Sequence, residues 1–235
     1  MLNVVIEELG FGREQRRERP MSSHIPYLRH VADTVIGLES GAILSVIRLD
    51  GLFFQTEDQA ELNMRAAVQN TIIRALGSSR YSLWSTVIRK EVKPSIEGRF
   101  SDPFCDLLNT RYMAALHEKR MFTNELYLTV VRSGIRGALG AAETVSRLLD
   151  RSSGREVVEQ RLHERINELE EVVGNITREF QKYGARPLGI VHRDGQPYSE
   201  PCTFFNTLLT CGISREMRLP RMGIRSYVGT SRLHF

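Results

Sequence analysis

A chain of 235 residues fits one large domain, or one domain with a substantial annex, and is ample for a proper core. Its 41% apolar and 26% charged residues are ordinary for a globular protein, and nothing approaches the roughly 20 consecutive apolar residues that a bilayer-spanning helix needs. The N-terminus lacks the basic, apolar and small-residue order of a signal peptide, so a cytoplasmic location is expected, with any membrane contact made through a partner. The net charge is +4, and 28 of the 32 basic residues are Arg. Arg suits bidentate recognition of phosphate or carboxylate, but these arginines are spread along the chain and form no basic stripe, which favours coding bias over a nucleic-acid surface. Cys105, Cys202 and Cys211 form no CxxC pair and are odd in number, so they read as separate thiols in a reducing compartment.

Residues 1–24 read as a flexible leader that ends in the charged run Arg13–Arg19 before Pro20; Met21 is an alternative translation start. The stretch 31–54, VADTVIGLESGAILSVIRLDGLFF, predicts a β-hairpin turning at Ser40-Gly41. A two-residue loop there sets Leu38 against Ile43, Thr34 against Ile47 and Asp33 against Arg48. One face then collects Ile36, Leu38, Ile43, Ile47 and Leu49, and the other Val35, Leu44 and Val46. Apolar residues on both faces imply a sheet covered on both sides.

Thr56, with Gln59 three residues on, predicts a capping box opening a helix that runs to about Leu76 and is closed by Gly77. Residues 81–92, YSLWSTVIRKEV, predict a strand. Ser101 is the expected cap of the next helix, with Pro103 in its first turn and Asp102 and Asp106 complementing the helix dipole. That helix carries Phe104, Leu107, Leu108, Tyr112, Ala115 and Leu116, and a further strand, NELYLTVVR, is expected at 124–132.

The Gly-rich stretch 133–140 reads as a linker. A Walker loop would need Lys-Ser/Thr after its last Gly, whereas Ala141-Ala142 follow Gly140, and no GxxxxGK[ST] occurs anywhere in the chain. From about Gly154 to Gly184 runs the longest expected helix, with Leu162, Ile166, Leu169, Val173, Ile176 and Phe180 at heptad spacing. The stripe suits a short coiled-coil seam or a face laid on a sheet; Gly174 favours the second. A strand at 185–191, a turn at 192–195, a helix at about 200–210 and a possible strand at 224–228 complete the reading. The tail carries Arg215, Arg218, Arg221, Arg225 and Arg232.

Catalytic, cofactor-binding and metal-ligating residues are all expected to be none. His163-Glu164-Arg165-Ile166-Asn167 approaches HExxH, but Asn167 stands where the second His ligand is needed. The carboxylates Asp102 and Asp106 are explained by their place in a first helical turn, and no Gly-x-Ser-x-Gly elbow occurs. The fold class expected is α+β: an antiparallel or mixed sheet begun by the N-terminal hairpin, covered by helices, with one long amphipathic helix. The expected divisions are a leader (1–24), a hairpin-led domain (25–132), a linker with a short helix (133–153) and a long-helix annex (154–235).

Taken together, the hairpin ending in LDGLFF, the strand around Ile88-Arg89 and the strand Asn124–Thr129, in that order, resemble the N-terminal region of the CagE/TrbE/VirB family of type IV secretion and conjugation ATPases. The resemblance extends from about Ile25 through the tail. It implies a module that docks a motor to the inner-membrane part of the apparatus and helps subunits assemble into a ring. Its partners would be inner-membrane and ATPase subunits, and its location the cytoplasmic side of the inner membrane. ATP and Mg would belong to a C-terminal motor absent from this sequence, which looks cut within a longer protein. Nucleic-acid binding by the basic tail is the alternative.

Overall fold

The computed structural model describes residues 21–51, 58–77, 80–93, 101–134, 153–211, 215–221 and 223–229. The proposed cap at Thr56, most of the leader, the linker from 135 onward and Arg232 lie outside the described residues. A 3-10 turn, Met21–His24, precedes β1 (Tyr27–Ala32), β2 (Val35–Leu38) and β3 (Ile43–Leu49). Then come α1 (Gln59–Ala75), β4 (Tyr81–Val92), α2 (Pro103–His117), β5 (Met121–Arg132) and α3 (Ser153–Glu179). The short strands β6 (Arg186–Pro187), β7 (Ile190–Arg193) and β8 (Gln196–Ser199) follow, and then α4 (Glu200–Leu209) and α5 (Ile224–Gly229).

The fold is α+β, with an antiparallel sheet begun by the N-terminal strands and covered by helices. Its order is β1-β2-β3-β5-β4, and β6 pairs with β3 beside β2. The central strand β3 is flanked along its whole length by β5, from Ile43↔Arg132 to Leu49↔Leu126. On its other side it meets β2 at Ile43 and Leu44 and β6 at Ile47 and Arg48.

The register of the β2–β3 hairpin differs from expectation by one residue. Ile36 faces Leu44 and Gly37 faces Ile43, because the loop holds three residues rather than two. Leu38 N–H donates to Ala42 O at 2.8 Å and Gly41 N–H to Leu38 O at 3.0 Å, with Gly41 at φ +75° in the left-handed region that glycine reaches without steric cost. With a side-chain period of two, this slip exchanges the faces of the first strand. Ile36 joins Leu44 and Val46 on one side, and Val35 joins Ile43, Ile47 and Leu49 on the other. Nor does the first strand run unbroken from residue 31. It turns at Asp33-Thr34, and residues 27–32 fold back as β1 against β2, so neither Thr34 with Ile47 nor Asp33 with Arg48 is a pair.

Both faces of the central strands are covered, in line with the apolar residues on either side of the hairpin. The α3 stripe lies on β3 and β5, burying Ile166, Leu169, Val173 and Ile176 against Val35, Ile43, Ile47 and Val130. Each such side chain contributes about 1.5–3 kcal/mol of transfer free energy, so the heptad-like pattern is spent inside the fold. On the opposite face Phe204 and Phe205 of α4 and Ile224 and Val228 of α5 pack on Ile36, Leu44, Val46 and Tyr127. The segment 224–228 is thus helix, not strand: Ile224 and Val228 stand one turn apart and are both buried. The cap of α2 is Asp102 rather than Ser101, its carboxylate accepting from Phe104 N at 2.7 Å. The strand expected over 185–191 is interrupted, β6 pairing with β3 while β7 forms a hairpin with β8 through Asp194-Gly195. The long helix stops at Glu179 and a 3-10 turn follows, closed by Gly184 at φ +65°, where a Cβ would lie 2.7 Å from Asp50 Oδ2.

Candidate functional site

The expected absence of catalytic chemistry directs attention to the polar clusters, and the densest lies where β3, β5, β6 and α4 converge. Arg186 grips Glu200 with two hydrogen bonds of 2.8 and 2.9 Å, and Gly189 N–H adds a third to the same carboxylate at 3.3 Å. Burial pushes Glu200 upward, but Arg186 and that amide hold it net below the ordinary Glu range. Beside it Lys90 pairs with Glu125 at 2.8 Å, and Tyr127 O–H donates to Glu125 at 3.0 Å. The Tyr127 phenol is pushed up to about 12, chiefly by burial and then by the Glu125 carboxylate. Arg193 pairs with Glu216 across the mouth of this small cavity of about 190 Å³. Acids and bases are matched one to one. Arg48 Nε alone makes no hydrogen bond, lying 3.6 Å from Asp50 Oδ1. The cluster joins the sheet to the C-terminal elements, and its Tyr127–Glu125 contact keeps the phenol protonated rather than activating it.

The motif fragments singled out in the sequence are dispersed. His163 and Asn167 lie exposed on α3, and His163 Nδ1 sits 3.0 Å from Glu159 O. Asp102 is spent on its cap. Among the described residues no group of His, Cys, Asp or Glu side chains is arranged to hold a metal. Of the tail arginines, Arg215, Arg218 and Arg221 are exposed, whereas Arg225 is engaged, donating to Ile25 O at 2.9 Å and pairing with Glu39. The edges of the β2–β3 hairpin are not open: β2 lies between β1 and β3, and β3 between β5 and the β2/β6 pair.

The open surface lies at the other end of the sheet. Residues 121–125 of β5 pair with β4 alone, since β3 pairs with β5 only from Leu126 on. A two-stranded ribbon therefore extends past the sheet, with α2 between its strands in the chain. β4, this ribbon and α2 together form an apolar arm. On β4, before the ribbon begins, Trp84 is 66% exposed and Leu83 and Val87 are exposed with it; on the ribbon Ile88 is buried but Phe122 is exposed, and on α2 Phe104 is 69% exposed beside exposed Leu107, Leu108 and Tyr112. No residue of α2 is buried, although Phe104, Leu107, Leu108 and Tyr112 recur at helical spacing along one stripe. Such concentrated exposure marks an interaction surface. At the arm's root an apolar groove of about 440 Å³ opens between Trp84, Tyr27, Leu38, Phe205 and Leu208. The apolar residues of α2 were legible in the sequence, but not what they face. The signal it lacked was that α3, α4 and α5 already supply the lids.

Residues 34–139 match the family described as type IV secretion system ATPase VirB4/TrbE, N-terminal domain. Over that span the chain is similar to a VirB4/TrbE N-terminal domain. It is 30% identical over 227 residues to the type IV secretion system protein virB4 of Brucella suis, covering 94% of this chain and 27% of that protein. It is 26% identical over 233 residues to PtlC of Bordetella pertussis, covering 96% and 27%, and 26% identical over 206 residues to virB4 of Bartonella quintana, covering 87% and 26%. The chain thus spans about 27% of the length of the first two of these curated relatives. The VirB4/TrbE match starts in the β1–β2 turn and runs through β5, so it takes in the whole apolar arm. Among the described residues no helix is long and apolar enough to cross a membrane.

Proposed function

We propose that this chain is the docking and assembly module of a type IV secretion ATPase, itself without catalytic activity. It holds a motor at the cytoplasmic side of the bacterial inner membrane, for transport of protein or DNA across the envelope. The observation that carries the reading is the uncovered arm within the VirB4/TrbE match: α3, α4 and α5 already lid the central strands, and the apolar stripe on α2 is left exposed beside bare β4. The absence of any GxxxxGK[ST] in the sequence agrees with a non-catalytic part, and ATP and Mg are assigned to a motor outside this chain.

Co-expression of the tagged chain with the inner-membrane subunits of a type IV system tests it. The subunits should co-purify from detergent extracts and be lost with Leu108→Asp, while Arg218→Ala leaves them bound. Recovery of no subunit by the parent chain overturns the docking reading, and robust ATP turnover by the purified chain overturns the non-catalytic one. The exposure of Arg215, Arg218 and Arg221 favours a second reading, nucleic-acid binding. That reading requires DNA affinity that falls steeply with salt and with Arg→Ala changes at these positions.

A further inference from the structure

Strands at the end of a sheet are ordinarily protected by a Pro, a bulge, a bare charge or a covering element. β4 has none of these among the described residues. It pairs with β5 through twelve successive residues without a bulge, from Tyr81↔Arg132 to Val92↔Met121, and its far edge has no strand beside it. Its charges are already occupied: Lys90 by Glu125, Glu91 by Arg120, and Arg89 over the Phe122 ring at 4.2 Å. What faces outward is backbone flanked by uncovered apolar side chains, Leu83 and Val87 on the α3 side and Trp84 on the α4 side.

From this edge we infer that a second copy of the chain adds its own β4 antiparallel to the first, about a two-fold axis at Ser85. The strand is self-complementary about that residue. A two-fold normal to the sheet keeps each side chain on its face, so residue i meets residue 170 − i of the other copy. Leu83 then meets Val87, Trp84 meets Thr86, and Tyr81 meets Arg89, which are apolar–apolar, aromatic–β-branched and aromatic–cation pairs. The small side chain of Ser85 lies on the axis, and no like charges oppose each other from Tyr81 to Arg89. Moving the centre to Val87 would set Leu83 against Glu91; moving it to Ile88 would set Val87 against Arg89. Both registers bring a charge onto an exposed apolar residue. An isologous contact of this kind closes on itself and gives a dimer, not a fibre. The inference specifies the self-association half of the assembly reading. Its failure would leave capture of membrane subunits untouched, because that is read in a separate experiment on α2.

The test uses the 235-residue chain in sedimentation equilibrium, with circular dichroism as the check on folding. The parent is expected to be a concentration-dependent dimer. Val87→Lys should shift it to monomer by at least tenfold in dissociation constant, and adding Leu83→Glu should restore the dimer by placing opposite charges across the axis. In a Cys105→Ser, Cys211→Ser background, Ser85→Cys should form a covalent dimer with a short thiol-to-thiol cross-linker, whereas Ser82→Cys should not. A monomeric parent at every concentration overturns the inference, as does a dimer indifferent to Val87→Lys or a Ser85→Cys chain that fails to cross-link. A dimer abolished by Leu108→Asp but unaffected by the β4 changes would assign self-association to α2 and equally overturn it.

Discussion

Tyr27 of β1 lies flat on Phe205 of α4, the ring centroids 3.7 Å apart and the planes within 8°. One residue belongs to the strand at the start of the sheet and the other to a helix near the end of the chain, and Phe205 is almost wholly buried. Phe205→Ala should therefore cost about 3–5 kcal/mol, from lost burial and the cavity left behind. Urea unfolding is the measurement. A loss below about 1 kcal/mol would show that α4 does not share a core with the sheet.

The α3 face has its own fastening. Arg132, nearly buried at the end of β5, donates from Nε to Glu168 of α3 at 2.9 Å. Removing only the carboxylate leaves a buried cation unsatisfied, so Glu168→Ala should cost about 1–3 kcal/mol. Arg132→Met, which keeps the volume and removes the charge, should cost less. Equal losses would mean that leaving the Arg132 charge without its partner adds no penalty beyond loss of the pair.

His30 supplies a pH dependence. Its Nε2 lies 2.8 Å from Ser199 Oγ, and Ser199 also caps α4 by accepting from Cys202 N at 3.1 Å. Burial lowers the pKa of His30 below its ordinary value, outweighing the opposing pulls of the Ala32 carbonyl and Asp33. The unfolded chain therefore binds a proton at higher pH than the folded one, and stability falls as the pH drops below about 6.5. His30→Gln should flatten the pH dependence of the melting temperature in that window. An unchanged slope would remove His30 as its source.

Thiol labelling reads burial directly. Cys105 and Cys211 are exposed, whereas Cys202 is buried and its thiol is pushed up to about 11 by that burial. A disulfide-exchange reagent at neutral pH should modify two thiols quickly and the third only on unfolding, since the thiolate is the reactive form. Rapid modification of all three would contradict the packing of α4.

Much of this arrangement was legible in the residues, and the exceptions have physical causes. β4 falls at 81–92 as expected because its alternating pattern is bounded by breakers, and the α3 stripe was legible because four buried positions recur at helical spacing. The hairpin register was not legible. With apolar residues on both faces, two registers differing by one residue bury almost the same surface, and only the left-handed Gly41 in a three-residue loop decides between them. Segment 224–228 is short and β-branched, so strand and helix were equally compatible until Ile224 and Val228 proved to share a face. As for the site, the sequence shows that α2 has an apolar stripe but cannot say whether it turns inward. That depends on which other helices reach the sheet first.

The uneven support of β5 carries a further consequence. From Leu126 onward it is held on both sides, but from Met121 to Glu125 it has β4 alone. Local opening should then cost progressively less from β3 outward, so that amide hydrogens exchange first in the ribbon and last along β3. A load applied at α2 would be taken up by fraying of the ribbon before it reached the sheet between α3 and α4, which makes the arm a compliant coupling on a stiff mount.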